Sequence, residues 1–150
     1  NIYIMDSFTY IISSSNSTTA ATANNCFIEL AGLPTNRKFR CEVIDFALNY
    51  NTIDTTNMVE KYLFLTASNE MQILDGVQHP QKFNKLCNIS VSTGAMTSLF
   101  GHVFTVGNFN KHTVNFQIGL PNNTLLPTNR INQTNTTYWT LSLKMTPIAE

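Results

Sequence analysis

Two stretches of this chain alternate apolar and polar residues without a break, and that period of two constrains the fold more than any other feature. From His112 to Leu120, Val114, Phe116, Ile118 and Leu120 share one parity, and Thr113, Asn115 and Gln117 share the other. From Tyr138 to Thr146, Trp139, Leu141, Leu143 and Met145 alternate with Tyr138, Thr140, Ser142, Lys144 and Thr146. Successive side chains of a strand point to opposite faces, so each run predicts a strand with one buried and one wet face. Strands of this kind belong to antiparallel layers that stack on their greasy sides. Strands buried on both faces would read as continuous apolar runs instead. Pro147 stops the second run from continuing as a central strand, because proline has no N–H for a ladder.

The same period recurs less cleanly elsewhere. Ile2, Ile4, Phe8, Tyr10 and Ile12 share a parity that Asp6 interrupts, which predicts a strand bulged near Asp6. Cys26, Ile28 and Leu30 line one face of a short strand that Gly32-Leu33-Pro34-Thr35-Asn36 breaks. Phe39, Cys41 and Val43 then set a phase that slips to Ile44, Phe46, Leu48 and Tyr50. Such a slip marks a bulge or a strand that serves two sheets. Val59 to Thr66 fits a strand better than a helix, being short and aromatic-rich. Asp75-Gly76 predicts a two-residue hairpin turn, since both residues tolerate the positive φ it needs. His79-Pro80 ends that element, and residues 81–86 are expected to make one helical turn. Cys87, Ile89 and Val91 alternate as a strand. Met96, Leu99, Phe100, Val103 and Phe104 predict a short helix running into a strand through Val106. Residues 13–24 hold only Ser, Asn, Thr and Ala and read as a surface loop with nothing to bury. Residues 51–57 are polar connection, and residues 121–137 are a long one pinned by Leu125 and Leu126.

The expected architecture is all-β: about eight antiparallel strands in a two-sheet sandwich or barrel, with room for one short helix. No regular βα alternation supports a doubly wound sheet. At 150 residues, 1–150 reads as one domain large enough to hold a core without metals or disulfides.

Charge narrows the function. Only 12% of residues are charged, nine of each sign, so no long-range field draws in phosphate backbones or anionic membranes. Polarity comes from Asn, Thr and Ser. Near-neutrality permits close packing against copies of the same chain; an AT-rich coding sequence would give the same composition. Three cysteines, Cys26, Cys41 and Cys87, are an odd number in apolar strand contexts, so buried free thiols and a reducing compartment are expected. No run of 18 apolar residues predicts a transmembrane helix. Residues 1–6 lack the basic and apolar regions of a secretory signal, and the start at Asn1 rather than Met suggests a fragment or trimmed product. Sequons stand at Asn16, Asn88, Asn122, Asn132 and Asn135. With 19 Asn and 30 Ser or Thr in 150 residues, chance alone gives about four, so they carry no information on glycosylation.

No constellation predicts chemistry, and no catalytic, cofactor-binding or metal-binding residue is assigned. His79, His102 and His112 sit in separate elements without the close ligand pairs that zinc prefers. Cys87 with His112 is the one thiol–imidazole pair to weigh, and it reads as a core thiol and a strand-end histidine. No Gly-x-Ser-x-Gly elbow is present. Glu29, Glu42, Asp45 and Glu70 are the candidate carboxylates for acid–base work; Glu42 and Asp45 flank the phase slip, which could turn one inward. Asp54-Thr55-Thr56 lacks the Gly of an aspartic-protease triplet and reads as a turn. There is no glycine-rich phosphate cradle. Arg37-Lys38-x-Arg40 is the one basic cluster, more consistent with solvating an edge strand than with gripping nucleic acid.

The strand Cys26–Ala31, its Gly32-Leu33-Pro34 turn and the long strand Lys38–Tyr50 stand out as a pattern. So does the close Trp139-x-Leu141-x-Leu143-x-Met145-x-Pro147-Ile148. With the Asn- and Thr-rich, low-charge composition, they make the chain resemble the single jelly-roll proteins of large icosahedral DNA viruses and their virophage-like relatives. The resemblance implies an eight-strand jelly roll in two facing sheets and a structural role in the virion, assembled in the host cytoplasm. That role is a penton subunit at five-fold vertices, as a pentamer, or a minor capsid protein that cements larger capsid proteins. It supplies no catalytic residues and no cofactor. Two other roles suit the same architecture. A receptor- or carbohydrate-binding domain would expose Tyr62, Tyr138 or Trp139 in a groove. A cupin-like enzyme would bring His79, His102 and His112 together with an acid.

Overall fold

The computed structural model describes residues 6–17, 23–33, 37–48, 62–74, 77–78, 83–92, 95–98, 103–107, 113–122, 124–127 and 138–148. They form ten strands: β1 (Phe8–Ser13), β2 (Asn25–Glu29), β3 (Phe39–Leu48), β4 (Tyr62–Ser68), β5 (Val77–Gln78), β6 (Phe83–Ser92), β7 (Ala95–Ser98), β8 (Val103–Val106), β9 (Thr113–Gly119) and β10 (Trp139–Pro147). Two 3-10 turns, Ser14–Asn16 and Asn69–Met71, are the helical content among the described residues. Every strand pairing is antiparallel.

The pairings are nested. The first strand lies beside the last, β1 on β10; β2 lies on β9, β3 on β8, and β4 on β6. The chain is thus a ribbon doubled back on itself and then rolled, which joins β10 to β3 and β9 to β4. Two four-strand layers result, β1-β10-β3-β8 and β2-β9-β4-β6, the arrangement of a jelly roll. β7 links them along one side, paired to β6 over four residues and to β3 at Ala47.

The layers meet through the alternating faces read from the sequence. Val114, Phe116 and Ile118 of β9 are fully buried, as are Trp139, Leu141, Leu143 and Met145 of β10. Trp139 is the bridge: its ring lies 5.7 Å from Phe46 of its own layer and 5.6 Å from Phe116 of the other. Burying each such side chain contributes about 1.5–3 kcal/mol, so these inner faces carry most of the driving force.

The phase slip in β3 is a bulge. Ser142 pairs with Asp45 and Leu143 with Val43, leaving Ile44 as the extra residue. Val43 and Phe46 stay buried on either side while Ile44 turns to solvent, 53% exposed. A second slip lies between β4 and β6, where Leu65 pairs with Cys87 and Thr66 with Lys85. The extra residue there is Leu86, and it is buried together with Cys87.

Several sequence expectations need correction. Residues 83–92 and 95–98 are strand, so the helical turn at 81–86 and the short helix from Met96 are not formed where described. Hairpin pairing on both sides supplies the backbone hydrogen bonds a helix would have provided, and β-branched and small polar residues fit the strand. Ser14, Ala23 and Asn24 are buried, so residues 13–24 are not wholly a surface loop. Asp75 and Gly76 lie outside the described residues, and their flanks pair with different strands, Ile73 with Val106 and β5 with β6. The region read as a strand from Val59 is β4, described from Tyr62.

Candidate functional surface

Between the layers the inward side chains of the described residues form one buried apolar cluster. Cys26, Cys41 and Cys87 are free and buried. Burial pushes the Cys26 and Cys87 thiols up from 9.0 to about 12, so neither is a thiolate near neutrality. Cys41 Sγ lies 3.2 Å from Met145 Sδ, a packing contact within one layer.

Polar groups in this interior are matched. Trp139 donates its indole Nε1–H to the Ala23 carbonyl at 2.7 Å, and its backbone N–H to Ser14 Oγ at 2.8 Å. Asn24 donates through Nδ2 to the Leu126 carbonyl, and its own carbonyl accepts from Ile118 N–H. Among the described residues, no buried side-chain nitrogen or oxygen lacks a partner. Sequence reasoning missed Ser14, Ala23 and Asn24 because small residues give no periodic signal. Their use becomes visible only once Trp139 is placed.

The carboxylate candidates are not buried. Glu29 stands exposed on the outer face of β2, and Asp45 is exposed and Glu42 half-buried on the outer face of β3. The bulge between them turned Ile44 outward and turned neither acid inward. Glu70 is exposed in the 3-10 turn after β4. Lys38 and Arg40 are exposed and Arg37 half-buried, but β3 is an interior strand, paired with both β10 and β8. The expected edge-strand role for this basic cluster is therefore wrong; Arg40 instead stands on a sheet face between Thr146 and Thr105. His79, His102, His112 and Asp54-Thr55-Thr56 lie outside the described residues, so the Cys87–His112 pair does as well. Among the described residues, no group of three or more His, Cys, Asp or Glu could hold a metal. No helix there is long and apolar enough to cross a membrane.

The remaining candidates are surfaces. On the β2-β9-β4-β6 layer, Asn115 donates to Asn25 Oδ1 at 2.8 Å and to the Cys26 carbonyl at 2.9 Å, and Gln117 donates to Asn115 Oδ1 at 3.1 Å. Beside this amide network, Lys85 Nζ sits 4.0 Å above the Phe64 ring. That layer also exposes Phe27 and Tyr62, whereas the outer face of the β1-β10-β3-β8 layer exposes the aliphatic Ile11, Ile44 and Val103 among hydroxyl and charged residues. Strand edges are partly closed by short pieces. Ser17 pairs with Ile28 at the edge of β2, Leu74 N–H donates to the Thr105 carbonyl at 2.9 Å along β8, and β5 covers part of β6. Of the aromatics expected in a binding groove, Tyr62 and Tyr138 are exposed, but Trp139 is fully buried.

No protein-family model matches this chain, and no curated protein matches it. The fold and its surfaces therefore carry the functional reading alone.

Proposed function

We propose that this domain is a structural subunit of an icosahedral virion shell, a penton or minor capsid protein that acts by assembly and not by catalysis. The observation that carries the reading is the nested pairing β1·β10, β2·β9, β3·β8 and β4·β6, which rolls the chain into the fold the resemblance implies. Jelly rolls also serve lectins and cupins, and two features favour assembly over those roles. Every fully buried side-chain nitrogen and oxygen among the described residues is matched within the chain, and the aliphatic residues Ile11, Ile44 and Val103 stand exposed together on one sheet face, apart from exposed Phe27 and Tyr62 on the other layer. A near-neutral chain can pack against copies of itself or a larger shell protein without charge repulsion.

Cryo-electron microscopy of particles from the native source tests this. The reading requires density for this two-layer fold in the shell, at a vertex or between larger capsomers. Particles without it, with the chain recovered only outside them, would remove the proposal. Exposed Tyr62 and Tyr138 keep a glycan- or receptor-binding domain as the second reading. It requires glycan-array binding that is lost in a Tyr62→Ala, Tyr138→Ala double variant.

A further inference from the structure

We propose that the outer face of the β1-β10-β3-β8 layer seats a second copy of this chain, face to face about a two-fold axis running along the strands between β10 and β3. This rests on the assembly reading and deepens it by naming a surface and a symmetry.

The register lays out the face. Thr9, Lys144, Glu42 and Val103 form one outward row across the four strands. Two residues along, Ile11, Ser142 and Asp45 form the next, with bulged Ile44 beside Asp45. Ile11, Ile44 and Val103 are 61%, 53% and 51% exposed, three large aliphatic groups from three strands on one side of the sheet. The charges among them are Arg40 and Lys144 against Glu42 and Asp45, two of each sign.

Charge and shape on this face are self-complementary under one rotation. A two-fold axis between β10 and β3 exchanges those strands, and it exchanges β1 with β8. Lys144 of each copy then lies over Glu42 of the other, and the pair occurs twice. Val103 meets Thr9 and Ile44 meets Ser142, so these two large aliphatic groups each face a small hydroxyl-bearing one. Facing sheets interdigitate in this way at about 10 Å. The other layer exposes Phe27 and Tyr62, but there Asn25, Asn115 and Gln117 already bond one another and would be desolvated on docking.

Size sets the expected strength. Four strands about 4.8 Å apart and about seven residues long at about 3.3 Å each give a footprint of roughly 450 Å² per copy. That is near half of a standard interface, so the pair is weak alone and gains from other shell contacts.

Cross-linking tests the symmetry. Within one chain, Thr9 and Val103 stand three strand spacings apart, about 14 Å. Thr9→Cys and Val103→Cys are made as separate proteins and treated with a bismaleimide shorter than that span. The native thiols are buried and do not compete. The mixture should give a covalent dimer, and each variant alone should stay monomeric. Sedimentation should show concentration-dependent association of the unmodified protein, weakened at least tenfold by Ile44→Asp with its unfolding midpoint unchanged. Cross-linked dimers from either variant alone, or no dimer from the mixture, overturns the face pairing. So does an unmodified protein that stays monomeric at the highest concentration. Shell density for a chain that fails these tests leaves the virion role standing without this surface; a two-fold dimer absent from any particle does the reverse.

Discussion

The two layers have matching insides and contrasting outsides. Inside, both are continuous apolar sheets: Cys26, Ile28, Leu63, Leu65, Val114, Phe116 and Ile118 on one, Cys41, Val43, Phe46, Phe104, Leu141 and Leu143 on the other. Outside, the β2-β9-β4-β6 layer ties its amides to one another beside exposed aromatic Phe27 and Tyr62, while the β1-β10-β3-β8 layer leaves the aliphatic Ile11, Ile44 and Val103 in water. Folding therefore dictates the inner faces through the transfer of apolar surface, and it leaves the outer faces to other demands. A face whose donors already have acceptors gains little from a partner, whereas exposed aliphatic groups gain about 25 cal/mol for each Å² covered.

The largest break in this comparison is expected from Trp139→Ala, because that ring touches aromatics of both layers. It should cost about 3–5 kcal/mol, read as a lower urea midpoint, with both layers losing protection together. Next comes the bulge. Val43→Ala removes two buried methyl groups and should cost about 1.5 kcal/mol, while Ile44→Ala should stay within about 0.5 kcal/mol. Equal losses at these neighbours would mean that the β3 register is wrong. The outer faces separate on a finer scale. Asn115→Ala breaks bonds to Asn25 and the Cys26 carbonyl and should cost about 1 kcal/mol; Ser142→Ala should change stability by less than about 0.5 kcal/mol.

The smallest effect is in pH. Cys26 and Cys87 keep their protons in the folded state to about 12, whereas an ordinary thiol releases its proton near 9.0. Above pH 9 the unfolded chain binds fewer protons than the native one, so stability should fall as pH rises from about 9 toward 12. Tyr10, also raised by burial, acts in the same direction. Denaturant midpoints measured across that range should decline steadily. A flat profile would place these thiols in solvent.

The sequence disclosed the inner faces because burial and period two act on the same residues. Val114 to Leu120 and Trp139 to Met145 point as their alternation requires, and the slip at Ile44 is the bulge itself. The outward parity was right but softer than expected, since Asn115 and Gln117 are half-buried and hydrogen-bonded to their neighbours. Less was legible where structure depends on bonding between distant small residues. Nothing in Ser14, Ala23 or Asn24 announces a partner 116 residues away, as Ala23 has in Trp139. The bulge at Leu86 was hidden for another reason: Leu86 and Cys87 are both apolar, so two buried neighbours blur the phase. The stretch from Met96 misled because its apolar spacing fits a helix, while pairing with β6 and β3 decides its conformation. The candidate surface was the least legible part. Outward residues obey no burial rule, and only the register shows that Ile11, Ile44 and Val103 share a face.

Hydrogen exchange at the Trp139 indole probes the contact between layers most directly. Its N–H is bonded to the Ala23 carbonyl at 2.7 Å, with Phe46 and Phe116 against the ring. Exchange slowed to the global unfolding rate, in step with the amides of Val114, Phe116 and Ile118, is the predicted result. An indole proton that exchanges as fast as in an unfolded peptide would contradict the packing of these two sheets.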